Sequence, residues 1–266
     1  MQNPYLALTD AFNRGALRTL LSSGQAVVMH RLAVMSKDGD WILREDPAAV
    51  EHVLEVLAAH GARYRFGAPL DLRWLAGGWS AHLEFPQNGL RIRTDFVSRP
   101  PRISRDELQA MWSAATDTGD PVVGLVPLAA IKLTNREKDY AVVGELARAM
   151  PDPSDQIRFS RSALDLLDLA RQHPELVAAI AADRPALASI GKGRDAIEAA
   201  LDHERRTLMR NNEQRLQAYR RASEAWATIW TDLQREIGTL PLHEAHAKMV
   251  QRALGVLPFR PPEIAP

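Results

Sequence analysis

Asp38 and Asp40 flank a single glycine in a stretch, Asp38 to Leu43, that alternates polar and apolar residues as a strand does. Carboxylates two residues apart on a strand leave the same face, about 7 Å apart at the backbone, so their oxygens can converge on a pair of Mg²⁺ ions. A third aspartate, Asp95, lies in a second strand-like run and would complete the cluster. Hard oxygen donors with open positions suit Mg²⁺ bridging a nucleoside triphosphate, where the ions clamp the attacking and leaving oxygens of a phosphoryl group. Upstream, Ser23 and Gly24 fall at a predicted strand-to-helix turn, whose backbone N–H groups favour a phosphate.

Elements must place these residues. Tyr5, Leu6, Phe12, Leu17 and Leu20 recur at roughly helical spacing until Ser22-Ser23-Gly24 breaks the pattern, and a short helix is expected over 25–30. Asp46-Pro47 supplies an N-cap and an N1 proline for a helix striped by Val50, Val53, Leu54 and Leu57 and ended by Gly61. Between Trp79 and Val97 two alternating runs meet at Asn88-Gly89, a strong hairpin signal. With those two as the loop, Gln87 faces Leu90, Phe85 faces Ile92, Glu84 faces Arg93, Leu83 faces Thr94 and His82 faces Asp95. Ala81, Leu83, Phe85, Ile92 and Phe96 then form a core face, and His82, Glu84, Arg91, Arg93 and Asp95 a polar one. Pro86 predicts a bulge or an edge position near the turn. Ser104 and Glu107 form a capping box for a helix over 104–112, Pro127 opens a helix through Lys132, and 138–150 forms another. Pro151 to Ser154 reads as a linker; beyond it the pattern is helix after helix, closed by a Pro-rich tail, 258–266, expected to be loosely ordered.

The order Ser23-Gly24, a gap, Asp38-x-Asp40 and a strand Asp95 resembles the DNA-polymerase-beta-type nucleotidyltransferase superfamily. The stretch 125–146, carrying Lys132, Arg136, Lys138 and Asp139, is similar to its abortive-infection toxin branch. The resemblance covers roughly residues 15–150. It implies an α/β (α+β) nucleotidyltransferase fold, a small mixed sheet with helices on one face, in residues 1–150, followed by an all-α domain over 155–266. It further implies transfer of a nucleoside monophosphate from an NTP to a hydroxyl or phosphate acceptor. Asp38, Asp40 and Asp95 would hold two Mg²⁺, Asp95 also helping to deprotonate the acceptor. Ser23 and Gly24 would cradle the phosphates with Lys132, Arg136 or Lys138. The acceptor, whether a tRNA end, a protein hydroxyl or a small molecule, is left open. So are a toxin-like protein held by an antitoxin partner and a nucleotide- or RNA-binding module without turnover. Ser23 replaces the first glycine of the family's usual pair, and Gly39 replaces an apolar residue, weakening the strand and removing a core side chain.

Other residues carry two readings each. His82 orients Asp95 or binds a phosphate, or is satisfied by its cross-strand neighbour. Lys132, Arg136 and Lys138 meet phosphates, or Asp139 holds them in a salt-bridged helix end. Trp41, Trp74 and Trp79 stack on a base, or are buried. Arg205, Arg206, Arg210, Arg215, Arg220 and Arg221 stand against Glu213 alone, as a helix touching RNA or as a solvated face paired with acids elsewhere. His243 and His246 lack a third metal ligand in register.

Composition bounds these choices. The 266 residues include no cysteine, which removes disulfides, thiolate zinc sites and cysteine nucleophiles, so any metal site is built without sulfur from cysteine. Lys+Arg and Asp+Glu both number 33, and the balance argues against a protein coated in basic residues as a wholesale nucleic-acid binder. No apolar run approaches the ~20 residues of a membrane helix, and the first 18 residues lack a signal-peptide pattern; a cytoplasmic location is the expectation.

Overall fold

The computed structural model describes residues 3–261; residues 262–266, the end of the Pro-rich tail, lie outside them. In chain order come α1 (Pro4–Phe12), β1 (Thr19–Ser22), α2 (Ser23–Met29), β2 (Gly39–Leu43), α3 (Pro47–Ala59), β3 (Arg63–Gly67), α4 (Leu72–Leu75), β4 (Ala81–Gln87), β5 (Leu90–Val97) and α5 (Arg105–Thr118). Helices alone follow among the described residues: α6 (Leu125–Lys132), α7 (Glu137–Ala149), α8 (Pro153–Phe159), α9 (Ala163–Gln172), α10 (Pro174–Ile180), a 3₁₀ segment (Pro185–Lys192), α11 (Arg194–Ala222), α12 (Glu224–Ile237) and α13 (Leu242–Leu254). The class is mixed α/β with a helical C-terminal region, as expected. No described helix is long and apolar enough to cross a membrane.

Five strands form one mixed sheet in the order β1-β2-β5-β4-β3. Every pairing is antiparallel except β2 with β5. The β4–β5 hairpin has the register derived from Asn88-Gly89, whose φ values of 51° and 77° suit a tight two-residue loop. Pro86 pairs opposite Arg91 with no bulge, and it lies beyond the end of β3 pairing, so its missing N–H leaves no ladder bond unmade. The irregularity falls instead in β3, between Tyr64 and Phe66.

One face of the sheet is apolar. Trp41 stacks on Phe96 at 5.5 Å, Phe12 of α1 meets both rings edge-on, and Leu83, Phe85 and Ile92 extend this core beneath α3 and α13. Gly39 does not leave a hole there. A Cβ at Gly39 would lie 2.3 Å from the Trp41 ring and 2.5 Å from Tyr5, so the glycine makes room for a tryptophan that packs where its own side chain would be.

Several sequence expectations change. Leu20 belongs to β1, not to a first helix, and the short second helix begins at Ser23 rather than Gln25. The strand β3 was not anticipated. The Ser104–Glu107 capping box is present, but α5 runs on to Thr118, where Gly119 in the left-handed region caps it. The expected linker at 151–154 is a helix start: Asp152 accepts from Ser154 N at 2.8 Å and Pro153 takes the first position of α8. The beginning of the tail is docked, since Trp74 Nε1 donates to the Leu257 carbonyl at 3.0 Å and Trp79 Nε1 to that of Pro258 at 2.9 Å.

Two compact units result, divided elsewhere than at residue 150. The first comprises the chain up to Val123 together with the chain from Gln217; the second is Gly124–Leu216. Within the first, α12 and α13 return to the sheet: Trp226 Nε1 donates to the Gly67 carbonyl at 3.0 Å, and His246 joins Tyr64. Within the second, α6, α7 and α8 pack successively, and Ile157, Leu166, Ile180, Leu187 and Ile197 form a separate core.

Candidate active site

The polar face of the sheet gathers the three aspartates. Parallel pairing of β2 with β5 sets Asp40 directly opposite Asp95. Ser22 of β1 lies opposite Asp40, His82 of β4 opposite Asp95, and Phe66 of β3 opposite His82. Directly paired residues share a face, so Ser22, Asp40, Asp95, His82 and Phe66 make one row across all five strands. Asp38, one residue before β2, is on the same side as Asp40 by the two-residue period.

Asp95 and Asp38 each meet a base. Arg65 Nη2 donates to Asp95 Oδ1 at 2.7 Å, and His82 Nδ1 lies 2.8 Å from the same oxygen without hydrogen-bond alignment. Arg93 Nη1 lies 3.5 Å from Asp38 Oδ1, and its Nε is 3.9 Å from Glu84 Oε2. Five side-chain atoms among the described residues are buried without a hydrogen bond; Arg65 Nε, His82 Nδ1 and Glu84 Oε2 belong to this face, and Arg44 Nε and Arg161 Nε complete the set. Buried polar atoms are normally satisfied, so three left open together make this face a candidate site.

The phosphate turn lies beside Asp40. Ser23 opens α2 with φ 49°, a left-handed conformation that a residue with a Cβ adopts rarely and that recurs at ligand-gripping turns. Ser22 at the N-cap makes no side-chain cap bond, leaving first-turn N–H groups of α2 to other acceptors. Gly24 lets the Ser36 side chain pack against the turn: a Cβ would lie 2.2 Å from Ser36 Oγ.

The loop bearing Asp38 is fastened by residues that sequence reasoning passed over. Gln25 Nε2 donates to the Ser36 carbonyl at 3.0 Å, Ser36 Oγ to the Asp38 carbonyl at 3.3 Å, and Tyr5 hydroxyl to the Lys37 carbonyl at 2.5 Å. Burial, and then the negative charge of Asp38, push the Tyr5 hydroxyl above its ordinary pKa, so it stays a donor. A hollow of about 610 Å³ opens here, lined by Tyr5, Gln25, Lys37, Arg91 and Arg93 among others.

Lys132, Arg136 and Lys138 lie in the second unit. There Asp139, 3 % exposed, accepts from Thr134 Oγ1 at 2.5 Å and from Arg136 Nε and Nη2 at 2.8 Å, and Lys132 Nζ lies 3.8 Å from it. Asp139 therefore holds two of the three cations, while Lys138 is exposed in the first turn of α7. Arg205 pairs with Glu137 and Asp202, and Arg206 with Asp202, which favours the solvated, acid-paired reading of that helix for these two. Trp41, Trp74 and Trp79 are buried with their indole N–H groups bonded, so none offers a face to a base. His246 is half-buried against Tyr64, its Nδ1 2.8 Å from the hydroxyl.

The donor set suits a hard divalent cation: carboxylate oxygens, two of them from residues in direct register, ringed by unsatisfied polar atoms. In the ion-paired arrangement no three His, Asp or Glu side chains among the described residues converge on one point. Asp95 is drawn to Arg65 and His82, and Asp38 to Arg93.

No family model matches the chain, and no curated protein matches it. A solved structure from H. pylori, called a "putative nucleotidyltransferase", is similar over 79% of this chain and 96% of its own, with 12% identity and a TM-score of 0.37. A likeness that distant carries no chemistry across, so the case for a function rests on the geometry of the sheet face.

Proposed function

We propose that this chain is a Mg²⁺-dependent nucleotidyltransferase that moves a nucleoside monophosphate from an NTP to a hydroxyl or phosphate acceptor, releasing pyrophosphate. The observation that carries the reading is the parallel β2–β5 register, which sets Asp40 beside Asp95 with Asp38 two residues away and the Ser23-Gly24 turn on the adjoining strand. Asp38, Asp40 and Asp95 would hold the metal, whose bound form supplies Lewis acidity and charge neutralisation at the phosphates. The backbone N–H groups at Ser23 and Gly24 bind phosphate oxygens without needing to reorganise. Arg93 and Arg65 bring positive charge to the same face, against the negative charge that grows on the leaving pyrophosphate. Asp95, with His82 beside it, would help to deprotonate the acceptor. Tyr5 and Gln25 act by positioning, through the loop that carries Asp38.

The test is pyrophosphate release from each of the four NTPs with Mg²⁺, with the wild type set against Asp38→Ala/Asp40→Ala. The double variant is expected to lose at least about a hundredfold in rate; an unchanged rate removes the assignment. A second reading, a nucleotide-binding module without turnover, is favoured by the pairing of Asp95 with Arg65 and His82. Calorimetry showing Mg²⁺-dependent NTP binding with no pyrophosphate released would decide for it.

A further inference from the structure

Two residues ahead of His82, on the same side of the sheet, Ser80 ends a chain of contacts. Ser80 Oγ lies 2.7 Å from His82 Nε2, and His82 Nδ1 lies 2.8 Å from Asp95 Oδ1. Hydroxyl, imidazole and carboxylate stand in the order of an activated nucleophile, the Ser80–His82 link being a hydrogen bond and the His82–Asp95 link a close contact without hydrogen-bond alignment. With its proton on Nδ1, on the side of the carboxylate, the imidazole leaves Nε2 to accept from the serine.

The imidazole is held from several sides. Phe66 stacks on it at 4.1 Å with 17° between the planes. Gly67 gives it room, because a Cβ there would come within 2.6 Å of His82 Cδ2. In the ion-paired arrangement, Arg65 donates to the same oxygen of Asp95. The Ser80 backbone is pinned by Ala68 N, which donates to its carbonyl at 2.9 Å. A half-buried serine is thus set against the histidine that lies opposite Asp95.

We propose that Ser80 is itself a nucleotide acceptor, so that the protein nucleotidylates its own chain. The inference rests on the nucleotidyl-transfer reading, because the donor is the same NTP. Ser80 Oγ attacks the α-phosphorus and an O–P bond forms. The bond from that phosphorus to the bridging oxygen of the β-phosphate breaks, and pyrophosphate departs with the electron pair. The hydroxyl proton passes to His82 Nε2, and Asp95 stabilises the imidazolium. The product is a phosphodiester joining Ser80 to a nucleoside monophosphate, with no change of oxidation state.

The experiment incubates the full chain and Mg²⁺ with each NTP labelled at the α- or the γ-phosphate, then denatures, counts protein-bound label, measures pyrophosphate and locates the adduct by peptide mass spectrometry. The expected result is α-label but no γ-label on the wild type, one nucleoside monophosphate on the peptide containing Ser80, and loss of label by about a hundredfold or more in Ser80→Ala. Ser80→Thr, which keeps a hydroxyl, retains label, and the wild-type peptide map does not depend on the folding of any variant. Adduct at another residue, or label undiminished in Ser80→Ala, overturns Ser80 as acceptor and leaves nucleotidyl transfer standing. Pyrophosphate release that needs an added acceptor while the wild type stays unlabelled does the same. γ-Label on Ser80 overturns the proposal because a phosphoryl group has moved instead. Neither label nor pyrophosphate with any NTP and any acceptor overturns the transfer reading, and self-modification with it.

Discussion

Replacing Arg65 with methionine removes a charge but keeps the length of the side chain, and separates the ion-paired state of Asp95 from any metal-bound one. Arg65 and Asp95 are 22% and 19% exposed, so the pair is mostly shielded from water. A hydrogen bond to a charged group contributes about 1.5–3 kcal/mol. His82 remains as a partner, which keeps the loss below the ~3–5 kcal/mol of a buried charge left alone. At ~2–4 °C per kcal/mol for 150–250 residues, Arg65→Met in chelator should melt about 3–12 °C below the wild type. Magnesium should reverse this. The wild type must give up the Arg65–Asp95 pair to bind an ion there, whereas the variant has already lost it. The same 1.5–3 kcal/mol then reappears as Mg²⁺ affinity, about tenfold to a hundredfold tighter in the variant, and the gap in melting temperature narrows as Mg²⁺ saturates both. Calorimetric titration and paired melts measure both quantities. Equal Mg²⁺ affinity in the two proteins, or a melting deficit indifferent to Mg²⁺, would refute the idea that Arg65 and the metal compete for Asp95.

Gly39→Ala should destabilise by about 1–3 kcal/mol, read as a lowered urea midpoint, because its Cβ would lie 2.3 Å from the Trp41 ring in a packed core. Gly24→Ala should leave the fold in place, since Ser36 Oγ can rotate away, but weaken NTP binding by shifting the turn; fluorescence titration with an NTP analogue checks it. Burial holds His246 below the ordinary histidine pKa, with His243 and Arg73 pushing the same way and Asp71 opposing. The unfolded chain therefore takes up a proton first as pH falls past about 6.5, so stability is full above that pH and drops below it by at most ~1.4 kcal/mol per pH unit until the folded histidine titrates. Denaturant unfolding from pH 7.5 to 5 should show that slope, and His246→Gln should flatten it.

What was legible in the sequence was local. Asn88-Gly89 fixes a two-residue loop, and the loop fixes every pair up to His82 opposite Asp95. Asp46-Pro47 and Ser104 with Glu107 announce their helices because caps act within one turn. Thr19–Ser22 was implied only by the strand-to-helix turn at Ser23-Gly24: its four consecutive buried residues carry no alternation of their own, and Leu20 falls into helical spacing with Phe12 and Leu17. Arg63–Gly67 was missed because its arginines at 63 and 65 and its irregular pairing blur the period. With β3 went Arg65, the strongest partner of Asp95. The β2–β5 register was beyond local reading, since no turn joins parallel neighbours, and only the common face of Asp38, Asp40 and Asp95 was available without it. The return of α12 and α13 to the sheet likewise depends on contacts such as Tyr64 with His246, between residues far apart in the chain.

The balance of 33 basic and 33 acidic residues acquires a local meaning at this face. Four acids, Asp38, Asp40, Asp95 and Glu84, stand against Arg65, Arg91, Arg93 and His82. Aspartates packed side by side repel, and burying them bare costs several kcal/mol each, so the arginines make the folded chain tolerable on its own. An NTP with its cation carries charges of both signs. If the carboxylates exchange arginine for the cation, the arginines are released onto a face where phosphate oxygens have arrived, and neither sign is left unmatched. Such an exchange would suit arginine: a guanidinium keeps its charge in either partnership and can bind a carboxylate or a phosphate through the same planar fork. A lysine at position 65 would hold Asp95 as a point charge, giving up the forked geometry that phosphate recognition uses. Arg65→Lys is therefore expected to fold like the wild type yet bind NTP more weakly, a split between stability and affinity that distinguishes charge exchange from a purely structural ion pair.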